Sequence, residues 1–467
     1  MEKPTPISVP ELCGLIVESL DRKDLVRCVR VCKLWNATFL PFIWRSIKAG
    51  ENDWPLDLWA LEKHRHHVQE VLFNDLHGSQ IEILSMELPN VLCLEIITNN
   101  VPTEFVEKKP RLIQLAMNDA SPMDPIAFWK AVAGLQHLRH LDFVFMEVQK
   151  DVIERFWDIC ERLDTIRLYL TGVAAAPDKS KTLSQVKTLD ISMLRGVTSM
   201  GCLALFSQCP NLTTMRWNGH SPLFPKATLL SSTVEATWPS LEALDLSTIS
   251  DRDLSEILKG MRTVKELRAR NSDFRDLSFE ALRRHLPELQ ILCIKESREK
   301  NGFPAKVISE VLATCTKLRI LNGTFVDAEA FLKDERPWVC NNSLTTLSLG
   351  FKFEGTCPRN TQPYIFERLS ELFSLESLDI SGPSHGLCLR LPRGLARLAT
   401  LKRLRTLNFS ETMQRIDVRE AKWMLSHWTM LESVVGRLSY YEDRDEELLP
   451  RLRVLAETDD LEDSDTD

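Results

Sequence analysis

Glycine is scarce in this sequence, at 17 of 467 residues. Active-site loops and phosphate-binding turns depend on glycine because it adopts positive φ angles at little cost, and no glycine-rich phosphate loop occurs. The 12 cysteines are scattered singly, with no C-x-x-C pair, which favours reduced, mostly buried thiols over disulfides or zinc. We therefore predict that the protein is not an enzyme, with no catalytic residues, no metal and no cofactor.

Long hydrophobic runs are also missing. No stretch of about 18 consecutive apolar residues, the length that a transmembrane helix needs, occurs along the chain. The first ten residues contain three prolines and no apolar core, unlike a secretory signal. We therefore expect the protein to reside in the cytoplasm or the nucleus and to have no membrane partner.

An excess of positive charge is absent as well. Lys and Arg total 58 against 66 Asp and Glu, and seven of those acids lie in the last eleven residues. Without these seven the formal net charge changes from -8 to -1. A nearly neutral body gives no reason to expect a nucleic-acid partner, which requires a concentrated positive field. Residues 456–467 are predicted to be an acidic, disordered tail.

One short pattern recurs through most of the chain: apolar-x-x-apolar-x-apolar. The last two apolar positions of each copy are two residues apart, so they point to the same side of a short, half-buried strand. The mean spacing between copies is about 26 residues. Six copies are clear and begin at Leu212, Leu241, Leu289, Leu344, Leu375 and Leu404; nine weaker copies begin at Val68, Val91, Leu112, Leu138, Leu163, Val186, Val264, Leu318 and Leu431.

Stretches with helical spacing of apolar residues separate these strands, for example at 254–258 and 279–286. The pattern resembles the leucine-rich repeat family, in its longer, helix-backed form. The resemblance implies an α/β solenoid over residues 67–455, with parallel strands inside a curve and helices outside. One strand and one helix cannot bury their own apolar face, so neighbouring units share a core and both ends need caps.

The N-terminal segment 7–47 breaks the period and reads as short helices. Pro10 suits the start of a helix, and the acidic residues Asp21 and Asp24 provide an N-cap for a second one. A segment of about 41 residues with this many large apolar side chains is at the edge of what folds unaided, so it needs a partner or the solenoid. We assign residues 1–6 to an N-terminal arm and 48–66 to a linker or capping segment.

The order and spacing of residues in this segment resemble an F-box: Val9-Pro10-Glu11-Leu12, Asp24-Leu25, Val31-Cys32-Lys33-x-Trp35 and then Trp44. The resemblance implies docking to the Skp adaptor and, through it, to a cullin-RING ubiquitin ligase. The residues alone leave open whether each apolar side chain contacts the adaptor or fills the core of the segment. The contacts that the resemblance implies are Pro10, Leu12, Ile16, Leu20, Leu25, Val31 and Trp35.

The strand positions beside the buried apolar pair are free to vary, and repeat proteins use such a face for binding. Guanidinium groups at these positions suit an acidic or phosphorylated target. The alternative is that Asp190, Asp245 and Glu266 neutralise them. The candidate substrate-binding residues are Arg167, Arg216, Arg268, Arg270 and Lys295.

Two clusters contain residue types that can carry chemistry. The histidines at 64, 66 and 67 lack a cysteine or carboxylate spacing that completes a metal set. The run 381–386 contains serine and histidine but lacks the strained G-x-S-x-G turn of a hydrolase. Both are better explained as connecting segments of the repeat.

The leading hypothesis is a non-catalytic substrate receptor of a ubiquitin ligase, in which the F-box holds the adaptor and the repeats bind an unknown protein target. A second hypothesis is a repeat scaffold without a ligase role, in which the F-box-like segment is only a cap. A third, a small-molecule sensor, requires a closed pocket beside the inner face.

Overall fold

The computed structural model describes residues 12, 15–17, 19–49, 58–74, 83, 86–97, 101–218, 238–294, 305–353, 361–382, 386–410, 412 and 416–436. The chain divides into two compact units, Met1–Gly219 and His220–Asp467. None of the helices in the described part of the chain combines the length and the hydrophobicity of a membrane-spanning segment. The predicted arm at 1–6 and the predicted acidic tail at 456–467 lie outside the described residues.

The first unit opens with a helical head. Residues 12 and 15–17 are helical, and two further helices follow, α1 (Arg22–Cys28) and α2 (Lys33–Arg45). Asp21 caps α1, since its side chain accepts a hydrogen bond of 2.7 Å from the backbone N–H of Asp24. Cys32 occupies the same position before α2.

The first unit continues as a parallel sheet with helices along one face. Its strands are β1 (Ser46–Ala49), β2 (Glu70–Asn74), β3 (Cys93–Ile97), β4 (Gln114–Asn118), β5 (His140–Val144), β7 (Thr165–Tyr169), β9 (Thr188–Asp190) and β10 (Thr214–Trp217), with β6 (Glu147–Val148) and β8 (Gly172–Val173) as a separate short pair. The helices are α3 (Leu58–His64), α4 (Glu104–Glu107), α5 (Pro125–Gly134), α6 (Ile153–Cys160) and α7 (Ser199–Ser207), with 3-10 turns at Arg65–His67 and Lys150–Val152.

The second unit repeats the same arrangement. Its strands are β11 (Ala243–Ser247), β12 (Glu266–Arg270), β13 (Ile291–Cys293), β14 (Ile320–Asp327), β15 (Thr346–Lys352), β16 (Ser377–Asp379), β17 (Thr406–Asn408) and β18 (Ser433–Val435), each parallel to the next. The helices are α8 (Asp251–Gly260), α9 (Asp276–Arg283), α10 (Ala305–Thr314), α11 (Ala328–Leu332), α12 (Gln362–Leu369) and α13 (Val418–His427), with 3-10 turns at Leu286–Glu288, Leu391–Arg393 and Leu395–Thr400.

The predicted repeat is confirmed strand by strand. Each of the fifteen pattern starts lies two residues before a strand, as Leu241 does before β11. The apolar pair that follows, Leu244 and Leu246, is buried, because alternate side chains of a strand face the helices. The helices complete the core with residues at helical spacing: α6 buries Ile153, Phe156, Trp157, Ile159 and Cys160. The α/β fold with parallel strands and backing helices is therefore as the sequence predicts.

One boundary differs from the prediction. The sheet begins at Ser46, inside the segment assigned to the helical head and ahead of the predicted linker at 48–66. Ser46–Ala49 pairs in parallel with Glu70–Phe73 of β2, and Ile47 is fully buried. The residues Trp44, Ile47 and Ala49 carry the same apolar-x-x-apolar-x-apolar spacing as the later copies, so a sixteenth copy was present in the sequence. This copy is hard to recognise because its first residue, Trp44, lies in the last turn of α2.

Several strands end in a residue with left-handed backbone. Asp119 follows β4 with φ 44°, and Phe145 follows β5 with φ 54°. The backbone N–H of each donates to the adjacent strand, Asp119 to Val144 at 2.9 Å and Phe145 to Tyr169 at 3.0 Å. Thus the left-handed residue adds one hydrogen bond to the strand ladder, and the backbone N–H groups of Leu170, Met193 and Thr248 do the same after later strands. Asn271, after β12, has the same left-handed backbone.

Candidate functional site

The helical head has a small core of its own, built from Leu25 of α1 and from Phe39 and Ile43 of α2. Trp35 lies against this core, with its ring 5.5 Å from that of Phe39 in an edge-to-face arrangement. Ile16 and Leu20 also pack on it, as does a set of other partly buried residues comprising Val17, Val26, Cys28, Val29, Phe42 and Trp44.

The predicted adaptor contacts therefore fall into two groups. Leu25 is buried, and Ile16, Leu20 and Trp35 are half-buried against it. These four residues belong to the core of the head, because their apolar surface is already largely removed from water. Pro10 lies outside the described residues. The remaining two predicted contacts, Leu12 and Val31, are exposed.

Four large apolar side chains of the head face solvent: Leu12 is 42% exposed, Leu15 63%, Val31 62% and Leu34 51%. Such side chains on a small domain are candidates for a protein interface. Leu15 and Leu34 were not among the predicted contacts. A sequence signal for Leu34 exists: in α2 the packed residues Trp35, Phe39 and Ile43 recur every four positions, and Leu34 lies off that stripe.

Polar contacts hold the connection on which Val31 lies. The side-chain amide of Asn36 donates to the carbonyl oxygen of Val29 at 3.0 Å, joining α2 to the end of α1. The guanidinium of Arg22 donates to the carbonyl oxygen of Ile43 at 3.3 Å, joining the start of α1 to the end of α2. The two helices are thus fixed at both ends, and the turn that carries Val31 is held between them.

The predicted basic residues of the first unit lie in a row of alternating charge. Asp142, Arg167, Asp190 and Arg216 occupy matching register positions on β5, β7, β9 and β10. Arg167 contacts Asp142 at 3.2 Å, and Arg216 lies 3.9 Å from Asp190. Burial raises the pKa of Asp142, and the nearby Arg167 partly offsets this. Each arginine of this row has a carboxylate beside it.

The predicted basic residues of the second unit also lie close to other polar side chains. Arg270 lies 3.7 Å from Asp245, and Arg268 points a guanidinium N–H at the sulfur of Cys293, 3.5 Å away. Lys295 lies outside the described residues. Acidic neighbours thus accompany three of the four described arginines, as the neutralisation alternative anticipated for Asp190 and Asp245.

The described residues provide little for covalent or metal chemistry. Among them no group of three or more His, Cys, Asp or Glu side chains is placed to hold a metal ion. The ring centroids of His66 and His67 lie 3.9 Å apart, with the ring planes tilted by 49°. Burial raises the pKa of Cys202 to about 11 and that of Cys209 to about 12, so these thiols stay protonated and unreactive near neutral pH.

Comparison with protein families identifies the head. Residues 10–49 match the family described as F-box-like. The chain has the domain arrangement of an F-box and leucine-rich repeat protein. The matched segment ends at Ala49, the last residue of β1, so in this chain the F-box-like domain includes the first strand of the sheet.

Comparison with solved structures returns repeat proteins at low identity. An internalin of Listeria monocytogenes is 11% identical, with 94% of each chain covered and a TM-score of 0.31. A leucine-rich repeat protein of Leptospira interrogans is 15% identical, with 89% of this chain and 90% of that one covered and a TM-score of 0.36. A chain of the TLR13–ssRNA13 complex is 15% identical, with 92% of this chain and 57% of that one covered and a TM-score of 0.32. No curated protein matches the chain in sequence.

Proposed function

We propose that the protein is a substrate-recognition subunit of a cullin-RING ubiquitin ligase of the Skp-adaptor type. The head binds the adaptor, and the repeats hold a protein target at a fixed distance from the ubiquitin-transfer centre. The subunit itself carries no catalytic group; it acts by raising the effective concentration of the target. The proposed site of action is the cytoplasm or the nucleus.

One observation carries the proposal: the F-box-like head exposes Leu12, Leu15, Val31 and Leu34. Burying a leucine or valine side chain contributes about 1.5–3 kcal/mol relative to leaving it in water. A partner that covers these four residues gains this energy without rearranging the core formed by Leu25, Phe39 and Ile43. We therefore propose that the exposed four make the direct contacts and that the packed residues hold them in position.

The target is proposed to bind the face of the sheet opposite the helices. In the first unit this face carries the row of Asp142, Arg167, Asp190 and Arg216, and charge of both signs suits a partner with matching polar groups. This part of the proposal is independent of adaptor binding.

Co-purification of the full chain with a Skp adaptor tests the proposal. The variant Val31→Asp with Leu34→Asp places two charges on the exposed face of the head. We expect it to lose the adaptor while its thermal unfolding remains that of the wild type. The matched control is Met200→Asp with Leu277→Asp, which changes two equally exposed apolar residues outside the head and should retain the adaptor.

A specific observation also favours the second candidate, a scaffold whose head is only a cap: α2 runs directly into β1, so the head covers the first strand of the sheet. In that case the wild-type chain does not bind the adaptor, and the two double variants behave alike. Such a result would overturn the receptor proposal and leave the cap as the role of the head.

A further inference from the structure

A groove runs along the helix side of the second unit, between α12 and the segment that follows α11. Its cavity has a volume of about 460 Å³, enough for one or two side chains of a partner. It is separate from the strand face considered above. The residues that line it are Phe331, Leu332, Asp334, Glu335, Trp338, Tyr364, Glu367, Arg368 and Glu371.

One wall of the groove is a single stripe of α12 and the turn after it. Tyr364, Glu367, Arg368 and Glu371 are spaced at i, i+3, i+4 and i+7, so they point to the same side. Ile365, Phe366 and Leu369 of the same helix are buried in the core. The stripe is thus held rigidly by the opposite face of its helix, and the Tyr364 side chain at its start is 60% exposed.

The floor of the groove is aromatic. Phe331 packs on Trp338 with ring centroids 5.8 Å apart and on Phe351 at 5.5 Å. The guanidinium of Arg368 already lies over Trp338, 4.7 Å from the ring centroid, and it donates a hydrogen bond to the carbonyl oxygen of Arg336. The chain itself therefore places a guanidinium group against this floor, the arrangement that cation–π attraction favours.

The rim of the groove is negative. Asp334 and Glu367 are paired with Arg336 and Arg397, each at 2.5 Å, and Glu371 lies 3.7 Å from Arg368. Glu335 is exposed, and among the described residues it makes no ion pair. With Arg336 and Arg397 counted beside Arg368, four carboxylates face three guanidinium groups, which leaves a formal charge of -1; the carboxylate of Glu335 is therefore the one that an incoming cation meets without a cationic partner among the described residues.

We infer that this groove binds an arginine-bearing basic segment of a partner protein. A guanidinium fits because it is planar, stacks on an aromatic ring and presents paired donors to carboxylates. Tyr364 provides the exposed ring, and Glu335 and Glu367 provide carboxylates on opposite walls. Under the proposed function this segment belongs to the ubiquitination target, but the binding itself does not depend on the adaptor.

The test uses the full chain and a fluorescein-labelled peptide of alternating arginine and serine, with binding followed by fluorescence anisotropy at low salt. A peptide with citrulline in place of arginine keeps the shape and removes the charge. The variant Glu335→Gln, Glu367→Gln, Glu371→Gln should bind the arginine peptide about tenfold more weakly. The matched control Asp276→Asn, Glu288→Gln, Glu376→Gln removes three carboxylates elsewhere in the same unit and should change the affinity less than about twofold.

Two single variants separate the groove from general charge attraction. Tyr364→Ala removes the exposed ring and should weaken binding by about fivefold, whereas Phe373→Ala, at an exposed ring that does not line the groove, should not. Arg368→Gln uncovers Trp338 and removes the internal competitor, so it should tighten binding, whereas Arg403→Gln should not.

Equal losses in the two triple variants, or equal binding of the arginine and citrulline peptides, would overturn the inference. The triple variant of Glu335, Glu367 and Glu371 should lose peptide binding but still co-purify with the adaptor. The double variant of Val31 and Leu34 should lose the adaptor but still bind the peptide. The two proposals therefore fail independently. The inference would also be overturned if the wild-type chain self-associates and the triple variant of Glu335, Glu367 and Glu371 does not. The groove would then bind a second copy of the chain.

Discussion

The Nζ atom of Lys109 donates a hydrogen bond of 2.7 Å to the carbonyl oxygen of Phe105, one turn earlier. Both side chains are buried, and that of Lys109 is 0% exposed. Burial lowers the pKa of Lys109 to about 7, and repulsion from Lys108 adds to the effect. A lysine in the core of the first unit is therefore close to half-charged at neutral pH, which costs folding energy.

This pKa predicts a pH dependence of stability with a definite sign. The folded pKa of Lys109 is lowered from the usual 10.5 to about 7, so between these values the unfolded chain binds more protons. The free energy of unfolding should consequently rise as the pH increases from 7 towards 10.5. Lys109→Met should be more stable than the wild type by about 2–4 kcal/mol at pH 7, with this advantage shrinking as the pH increases.

Denaturant unfolding at several pH values measures the effect, because it reports the difference between variant and wild type at each pH. Lys130→Met, at an exposed lysine on α5, is the control and should show no such trend. A difference between Lys109→Met and the wild type that does not vary with pH would contradict a titrating Lys109.

The left-handed strand ends predict a stabilising substitution. Thr248 follows β11 with φ 59° and Asn271 follows β12 with φ 51°, and both are exposed. A β-branched residue is strained in this region whereas asparagine tolerates it. Thr248→Asn should therefore increase the free energy of unfolding by about 0.5–1 kcal/mol and raise the melting temperature. Asn271→Thr should lower both by a similar amount. Differential scanning calorimetry compares the two; equal signs would contradict the explanation.

The strands could be predicted from the sequence because their information is local. The two-residue spacing within each apolar pattern fixes which side of a strand is buried, so Leu244 and Leu246 identify β11 without reference to the rest of the chain. Trp44 and Ile47 follow the same spacing, and Ile47 lies in β1. This strand is harder to predict because α2, which has a similar content of apolar residues, continues up to Arg45.

The candidate sites could be predicted only in part because they depend on neighbours from distant parts of the chain. Asp190 lies between Arg167 and Arg216 through the register of three strands, and sequence separation gives no measure of that register. Likewise the F-box resemblance selects apolar positions of the head, but the packing decides that Leu25 is core and Val31 is surface. The acidic groove combines α12 with a segment some thirty residues earlier, and no pattern joins them.

The charge row of the first unit makes a prediction about binding. Asp142→Asn with Asp190→Asn leaves Arg167 and Arg216 without their carboxylates while keeping the shape of the side chains. We expect the double variant to bind a phosphoserine peptide about two- to thirtyfold more tightly than the wild type, since each of the two pairs contributes about 0.2–1 kcal/mol. Isothermal titration calorimetry measures the affinities. Glu104→Gln with Glu107→Gln, which removes two exposed carboxylates on α4 of the same unit, should leave the affinity unchanged. Equal affinity of wild type and the first variant would show that the carboxylates do not mask the arginines.

The joint between head and sheet predicts how a defect in β1 affects the repeats. Ile47 is fully buried and its strand pairs with β2, so Ile47→Ala removes core volume where the head meets the first repeat. We expect a loss of about 2–4 kcal/mol, together with faster hydrogen exchange at the backbone amides of β2, because nearest-neighbour units of a repeat array stabilise each other. Hydrogen exchange with mass spectrometry follows both the loss of stability and the exchange at β2.

Val31→Ala changes an exposed apolar residue of the same head and should affect neither measurement. If Ile47→Ala accelerates exchange in α1 and α2 but leaves β2 protected, the head is a separate folding unit and does not cap the sheet.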